Sequence, residues 1–290
     1  MVSGRKRSAV GLLYVSPALL LVLGLLYAPS VYAFVYSLFD TSFLRIVDFN
    51  FPTNFVKLAV ERDVRSGLLR SLVYVFGSLL IAVPAGLAIS VWINTLRGWK
   101  SAVLQMIALI PWVISMVVAA LLWRRVFGGQ FNIASHLLEL IGMRYENPFD
   151  VPRLSMLLLI GVSAWRTVGY AMVMLLSGLK GVPLELYEAA SVDGASRFRQ
   201  FLSITLPLIR IPLTIVFVIL TLSYFNVVTV PLVLTGGGPG TATNVLSLEL
   251  YRQAFLYYQF GQANALAVSM FIINMVFVLA YVRLLRGGTQ

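Results

Sequence analysis

The side chains of this chain that are able to carry out acid–base or metal chemistry are few. Its 290 residues include no cysteine and a single histidine, His136, which excludes thiolate sites and a histidine-rich metal site. Serine proteolysis commonly needs a serine paired with a base such as histidine, and His136 lies in a predicted loop. No aspartate or glutamate falls inside a predicted membrane span. These residues argue against a protease or lipid transferase that works within the membrane.

A charged stretch, YEAASVDGASRFRQFLSITLP (187–207), lies between two apolar runs. Residues 184–192 are mostly good helix formers, and Pro183 suits the first turn of a helix. Gly194 offers a break with a positive φ angle. Residues 197–203 then form a second short helix. The pattern predicts a helix, a turn and a helix outside the bilayer.

The first of these two helices presents two different faces. Tyr187 and Ala190 share one face, and Glu188 and Val192 share another. Ala189 and Ala190 would allow close approach to a groove on another protein, and Glu188 would meet a basic residue on that partner or within this chain. An amphipathic helix resting on the membrane surface fits the same residues equally well.

The elements that must position this stretch are apolar helices. Hydrophobic residues make up 59% of the chain, charged residues make up 11%, and the mean hydropathy is +0.89. Soluble domains carry about 25% charged residues, and a helix needs about 20 apolar residues to span a bilayer. We therefore predict an all-α polytopic membrane protein. Its six spans are 10–38, 68–96, 102–123, 154–178, 204–234 and 262–284.

The orientation of these spans rests on the first one. Six spans put both termini on one side, but lysine and arginine are almost equally divided between the two sides. The first span follows Arg5-Lys6-Arg7 and precedes Asp40, and the first helix usually dominates the topology. Its apolar run is too long for a signal peptide, so we interpret it as a retained helix. The termini and the 187–207 stretch are then cytoplasmic.

The charge distribution and one glycine-rich stretch exclude other partners. The net charge of +11 is concentrated in tails and loops, which suits anionic lipid headgroups, and no signature of nucleic-acid binding occurs. The stretch TGGGPGTATN (235–244) lacks the Gly-Lys-Ser/Thr of a phosphate-binding loop. We interpret it as a flexible tight turn.

The 188–207 segment resembles the EAA loop of the membrane subunits of ABC importers. The family pattern is Glu-Ala-Ala, three residues, Gly, nine residues, Ile, any residue, Leu-Pro, and this chain keeps every spacing. The run VPLELYEAASVDGAS is similar to the carbohydrate branch, the permeases related to the maltose and glycerol-3-phosphate systems. Weaker similarities occur at TNFVKL (53–58), IPWVIS (110–115) and LTGGGPG (234–240).

This resemblance implies a type I ABC importer permease fold in one transmembrane domain, 1–290, with a cytoplasmic coupling loop at 181–207. It implies a non-catalytic subunit that binds no cofactor, with ATP and Mg²⁺ on a partner ATPase dimer. It also implies a second homologous permease subunit and an exterior solute-binding protein that delivers a sugar. The coupling residues would be Tyr187, Glu188, Ala189, Ala190, Asp193, Gly194, Ile204, Leu206 and Pro207.

The resemblance also suggests where a sugar would pass. Tyr170 aligns with a sugar-contacting tyrosine of the maltose permease, and Tyr224 and Asn226 resemble positions that line its site. Sugars need amide or hydroxyl partners and flat aromatic faces, although each such residue is as easily explained by an interhelical hydrogen bond. We predict that these three residues surround one cavity and that Arg166 has a structural or gating role. Further candidates in the last span are Asn264, Ser269 and Asn274.

A stand-alone secondary transporter or channel is the main alternative. Inverted repeats and acidic residues within the membrane would favour it. The chain shows no convincing repeat, and the 188–207 match would have no role in such a protein. The sequence does not distinguish a sugar from a polyol or a glycerophosphodiester as substrate.

Overall fold

The fold is given by a computed structural model that describes residues 14–43, 45–129, 132–142 and 145–287. For residues 285–287 it describes the backbone alone. The predicted first residues of span one and the Arg5-Lys6-Arg7 cluster lie outside the described residues. The helices are α1 (Tyr14–Ser37), α2 (Thr53–Val60), α3 (Arg62–Asn94), α4 (Trp99–Val113), α5 (Met116–Phe127), α6 (Ile133–Leu140), α7 (Pro152–Lys180), α8 (Leu184–Val192), α9 (Arg197–Leu208), α10 (Arg210–Asn226), α11 (Thr229–Leu234), α12 (Leu246–Phe255) and α13 (Phe260–Gly287).

The number of membrane spans agrees with the sequence prediction. Among the described residues, α1, α3, α7 and α13 are each long and apolar enough to cross a bilayer. Two further pairs of helices qualify as bent spans, α4 with α5 at 89° and α9 with α10 at 68°. Counting each pair as one span gives six.

The bends correct the simple picture of straight spans. Pro111 removes a backbone donor in the last turn of α4, and Ile114 is extended with a ψ angle of 136°, so the chain turns before α5. The predicted span 204–234 is likewise divided into parts of α9, α10 and α11. Helix α10 ends at Asn226 because Val227 is extended, with a ψ angle of 124°.

The chain divides into two compact units, and the first comprises Met1–Arg65 and Leu250–Ile272. It contains a two-stranded antiparallel hairpin, β1 (Phe39–Ser42) and β2 (Arg45–Phe49), in what was predicted as an exterior loop. The Asn54 side chain is fully buried and its Nδ2 donates to the carbonyls of Ser37 and Phe39, at 3.1 and 2.9 Å. This amide fixes the start of the hairpin against α2.

The second unit, Ser66–Glu249 and Ile273–Gln290, is built around α7. Glycines let neighbouring helices approach this helix closely. A Cβ added at Gly169 would lie 2.1 Å from the Ala108 carbonyl oxygen of α4, and one at Gly178 would lie 2.7 Å from Pro212 of α10. Small residues commonly make such contacts in membranes, where helices gain little from hydrophobic burial.

The glycine-rich stretch is a turn, as predicted, and side-chain hydrogen bonds hold it to itself and to α3. Thr235 and Thr243 share a hydroxyl hydrogen bond of 2.7 Å, and Arg70 of α3 donates to Thr241 at 2.8 Å. Gly236 and Gly240 have positive φ angles of 62° and 58°, which explains the glycine requirement. The expectation that this turn is a flexible one therefore needs correction, because these bonds restrain it.

Candidate functional site

The loop that joins α7 to α10 has the predicted helix–turn–helix structure. Helix α8 begins at Leu184, and Pro183 precedes it in an extended conformation, so the predicted place of Pro183 within the first turn is wrong by one residue. Gly194 has a φ angle of 75°. The Ala195 amide donates to Ala190 at 2.9 Å and the Gly194 amide donates to Ser191 at 3.1 Å. This is the Schellman arrangement that ends many helices.

The two faces of α8 differ in exposure as the spacing predicted. Tyr187 and Ala190 are half-buried, whereas Glu188 and Ala189 are exposed. Val192 is 88% exposed, which is unusual for an apolar side chain. The outward face therefore combines a carboxylate, a small residue and an uncovered apolar residue, a combination suited to a groove on a partner.

The second helix of the loop extends farther than predicted. Ser196 caps α9 by accepting a hydrogen bond from the Arg199 amide at 3.4 Å. The helix continues to Leu208 through a π-helical turn over Phe201–Thr205. Asp193 ends α8 in an exposed position. Of the remaining predicted coupling residues, two are half-buried and the last is exposed: Ile204, Leu206 and Pro207.

A buried polar cluster lies between α3, α7 and α10. The Tyr224 hydroxyl shares a hydrogen bond with Thr167, and its ring meets that of Tyr74 edge to face at 5.8 Å. The Tyr74 hydroxyl in turn shares a hydrogen bond of 2.8 Å with Ser163. Tyr224 is 2% exposed and Tyr74 is fully buried. Two separate hydroxyl bonds thus join α7 to α3 and to α10, and a ring contact joins the two tyrosines.

Arg166 belongs to the same region of α7. It is 9% exposed and lies in sequence between Ser163 and Thr167, the two residues of α7 that bond Tyr74 and Tyr224. It therefore lies in the interior of the bundle and does not extend to the surface. Its structural or gating role stays a prediction.

The other predicted pathway residues fall into separate groups. Tyr170 packs its ring on Trp112, with centroids 5.5 Å apart, and no hydrogen bond or ring contact joins it to Tyr224 among the described residues. Asn226 is exposed at the end of α10 and accepts a hydrogen bond from Asn274 at 3.1 Å. The structure pairs these two amides but does not bring Tyr170, Tyr224 and Asn226 into direct contact.

Two candidates in α13 make local bonds. The Asn264 amide donates to the Phe260 carbonyl and the Ser269 hydroxyl donates to the Ala265 carbonyl, each at 2.8 Å. Both bonds satisfy the polar group within its own helix and so differ from the interhelical bonds that the alternative explanation expects. Asn274 differs, because its Oδ1 atom is buried and has no hydrogen-bond partner among the described residues.

Sequence reasoning missed Tyr74, Ser163 and Thr167. The signal that was available is their type, because a hydroxyl inside a span is costly unless it faces protein. Ser163 and Thr167 are four residues apart and so lie on one face of α7. A search for such pairs, in addition to amides and charges, would have found them.

Comparisons with known proteins define the class of this protein. The chain is 29% identical to the trehalose/maltose transport system permease protein MalF of Thermococcus litoralis, over 97% of this chain and 95% of that protein. It is 32% identical to YurN, a probable ABC transporter permease of Bacillus subtilis, over 96% of each chain. A bacterial ABC transporter involved in the import of the acidic polysaccharide alginate shares its fold, with a TM-score of 0.84, 23% identity and 98% of each chain covered.

The fold and these relatives define a transmembrane permease subunit of an ABC transporter. Residues 64–287 match the family described as the binding-protein-dependent transport system inner membrane component. The chain belongs to this family. The predicted fold class, the transport function and the non-catalytic character of the subunit are thereby confirmed.

Proposed function

We propose that this subunit imports a sugar or a sugar-like solute by alternating access, driven by an ATPase dimer that docks on the 181–207 loop. The observation that carries this proposal is the loop itself. It presents Glu188, Ala189 and Val192 outward on a helix that a glycine turn ends. A partner groove would cover the apolar side chain and pair the carboxylate.

The rest of the assembly follows from the same proposal. A second, homologous permease subunit completes the pathway, and a solute-binding protein delivers the sugar to the exterior loops at 39–67, 124–153 and 235–261. Both termini and the 181–207 loop are cytoplasmic in this arrangement. The substrates named for MalF and for the alginate transporter support a saccharide as the transported solute.

Within this subunit, we assign sugar contact to two regions. Exposed Asn226 and half-buried Asn274 form an amide pair, and the buried, unsatisfied Oδ1 of Asn274 would accept a sugar hydroxyl when the pair opens. Tyr170 offers a half-buried ring beside Trp112. Tyr224 supports both regions, because its buried hydroxyl bond to Thr167 joins α10, which carries Asn226, to α7, which carries Tyr170.

The test is co-purification from cells that express the chain with its neighbouring genes. We expect an ATPase to be recovered with a tag on this subunit, and maltose, trehalose or an oligosaccharide to stimulate its ATP hydrolysis. Glu188→Ala should reduce recovery of the ATPase about tenfold or more, because a hydrogen bond to a charged group is lost.

The matched control is Glu139→Ala, which removes another exposed glutamate, on α6. Equal recovery of ATPase with Glu188→Ala and Glu139→Ala would refute the docking role of the loop. A subunit that transports alone, without any ATPase, would refute the proposed function as a whole.

A further inference from the structure

Side-chain hydrogen bonds join the two helices of the coupling loop. The Tyr187 hydroxyl of α8 and the Thr205 hydroxyl of α9 are 2.9 Å apart, although the two residues are 18 positions apart in sequence. The Gln200 amide nitrogen donates to the Ser191 hydroxyl at 2.9 Å and to the Ala195 carbonyl at 3.1 Å. We call the Tyr187–Thr205 and Gln200–Ser191 bonds the clasp.

The main chain between the helices provides little restraint of its own. Gly194 has no atom within 4 Å of the position that a Cβ would occupy, so no packing holds the turn from that side. Asp193 and Ser196 on either side of it are exposed. Backbone hydrogen bonds end α8 but do not fix its angle to α9. The two bonds of the clasp join α8 directly to α9 and so restrain this angle.

The Tyr187–Thr205 bond of the clasp lies next to the bend between α9 and α10. Thr205 is 5% exposed, and its carbonyl accepts a hydrogen bond from the Ile209 amide at 3.0 Å. Ile209 is fully buried at the 68° bend between α9 and α10. Helix α10 carries Tyr224 and Asn226. A displacement of α8 thus reaches the base of α10 through the Tyr187 and Thr205 hydroxyls.

We propose that Tyr187 and Thr205 are positioning residues that make α8 and α9 move as one body, so that motion of the docked ATPase is delivered to α10. This inference rests on the proposed function of the loop. It differs from a docking role, because the two hydroxyls face each other within the subunit and not a partner. Removing either hydroxyl should leave the ATPase bound but weaken the transmission of its motion.

The experiment uses the assembled complex with its binding protein and three variants of this chain. Tyr187→Phe and Thr205→Val each remove one hydroxyl at nearly constant shape, and Thr205→Ser keeps the hydroxyl. The matched control is Thr95→Val, which removes a hydroxyl bonded to the Trp92 carbonyl at 2.7 Å. Because the chain has no cysteine, two cysteines introduced at exposed positions accept spin labels specifically.

The measurements are the amount of ATPase recovered, the rate of ATP hydrolysis and the change in label-to-label distance on vanadate trapping of nucleotide. Suitable label positions within the second unit are Leu140 of α6 and Ile219 of α10, which are 70% and 42% exposed. For Tyr187→Phe and Thr205→Val we expect unchanged ATPase recovery. The ratio of shifted to unshifted complexes should be threefold to tenfold lower than in the wild type, which is about the effect of losing one hydrogen bond. Thr205→Ser and Thr95→Val should behave as the wild type.

Three results would overturn the inference. One is a full distance change with Tyr187→Phe, which would show that the hydroxyl transmits nothing. Another is loss of ATPase recovery, which would make Tyr187 a docking residue. The third is a double variant, Tyr187→Phe with Thr205→Val, whose ratio of shifted to unshifted complexes falls by the product of the two single falls. Two partners of one bond should not act independently. If the wild-type complex itself contains no ATPase, the proposed function fails before the clasp is in question.

Discussion

Helices α1 and α7 are both long enough to span the membrane, yet they are packed in opposite ways. Helix α1 has the higher mean hydropathy, and none of its most apolar 18-residue stretch is buried. More than half of the corresponding 18-residue stretch of α7 is buried. In lipid, an apolar side chain gains little by contacting protein, so hydrophobicity marks contact with lipid. Small and hydroxyl residues mark contact with protein. The less hydrophobic helix is therefore the centre of its unit.

The largest expected difference between α1 and α7 comes from adding one methyl group to each helix. Gly169→Ala should destabilise the protein by about 3 kcal/mol or more, because the new Cβ would meet a backbone oxygen that cannot move aside. Gly24→Ala in α1 meets nothing within 4 Å and should be neutral. Thermal midpoints of the purified variants measure the difference.

A second glycine of α7 serves as a control within the same helix. Gly161 has no atom within 4 Å of its Cβ position, so Gly161→Ala should be tolerated as well as Gly24→Ala. Equal midpoints for the variants at positions 161 and 169 would show that α7 and α4 do not approach as closely as described.

Truncation of a leucine should give an intermediate effect. Leu175 of α7 is fully buried, and Leu175→Ala should lower the stability by about 2 kcal/mol. This is the lower end of the usual range, because a leucine that leaves the protein interior enters lipid and not water. Leu20 of α1 is 69% exposed, and Leu20→Ala should not change the midpoint of the isolated subunit. A loss with Leu20→Ala as large as with Leu175→Ala would contradict the contrast between the helices.

The smallest expected effect concerns one hydroxyl. Tyr74→Phe removes the partner of Ser163 in the polar cluster and should cost about 1 kcal/mol. Tyr27 of α1 is 60% exposed, and Tyr27→Phe should have no measurable effect on the midpoint. If both substitutions are neutral, the Tyr74–Ser163 bond between α3 and α7 contributes no net stability.

The sequence predicted the features that depend on local chemistry. The six spans follow from apolar length, and the Gly194 turn follows from the φ angle that only glycine adopts easily. It did not predict the 89° bend after Pro111 or the contact of the Tyr170 ring with Trp112. Those depend on which helices meet, and helix contacts in a membrane are set by small residues on particular faces. Apolar length carries no information about such faces.

The bend at Ile209 has a mechanical consequence. Helix α10 is about 25 Å long at 1.5 Å per residue, so a rotation of about 10° at its base would move its far end by about 4 Å. That far end is Asn226, whose amide accepts a hydrogen bond from Asn274. A displacement of this size exceeds the length of a hydrogen bond. A tilt of this size at the base of α10 would therefore separate the Asn226 and Asn274 amides.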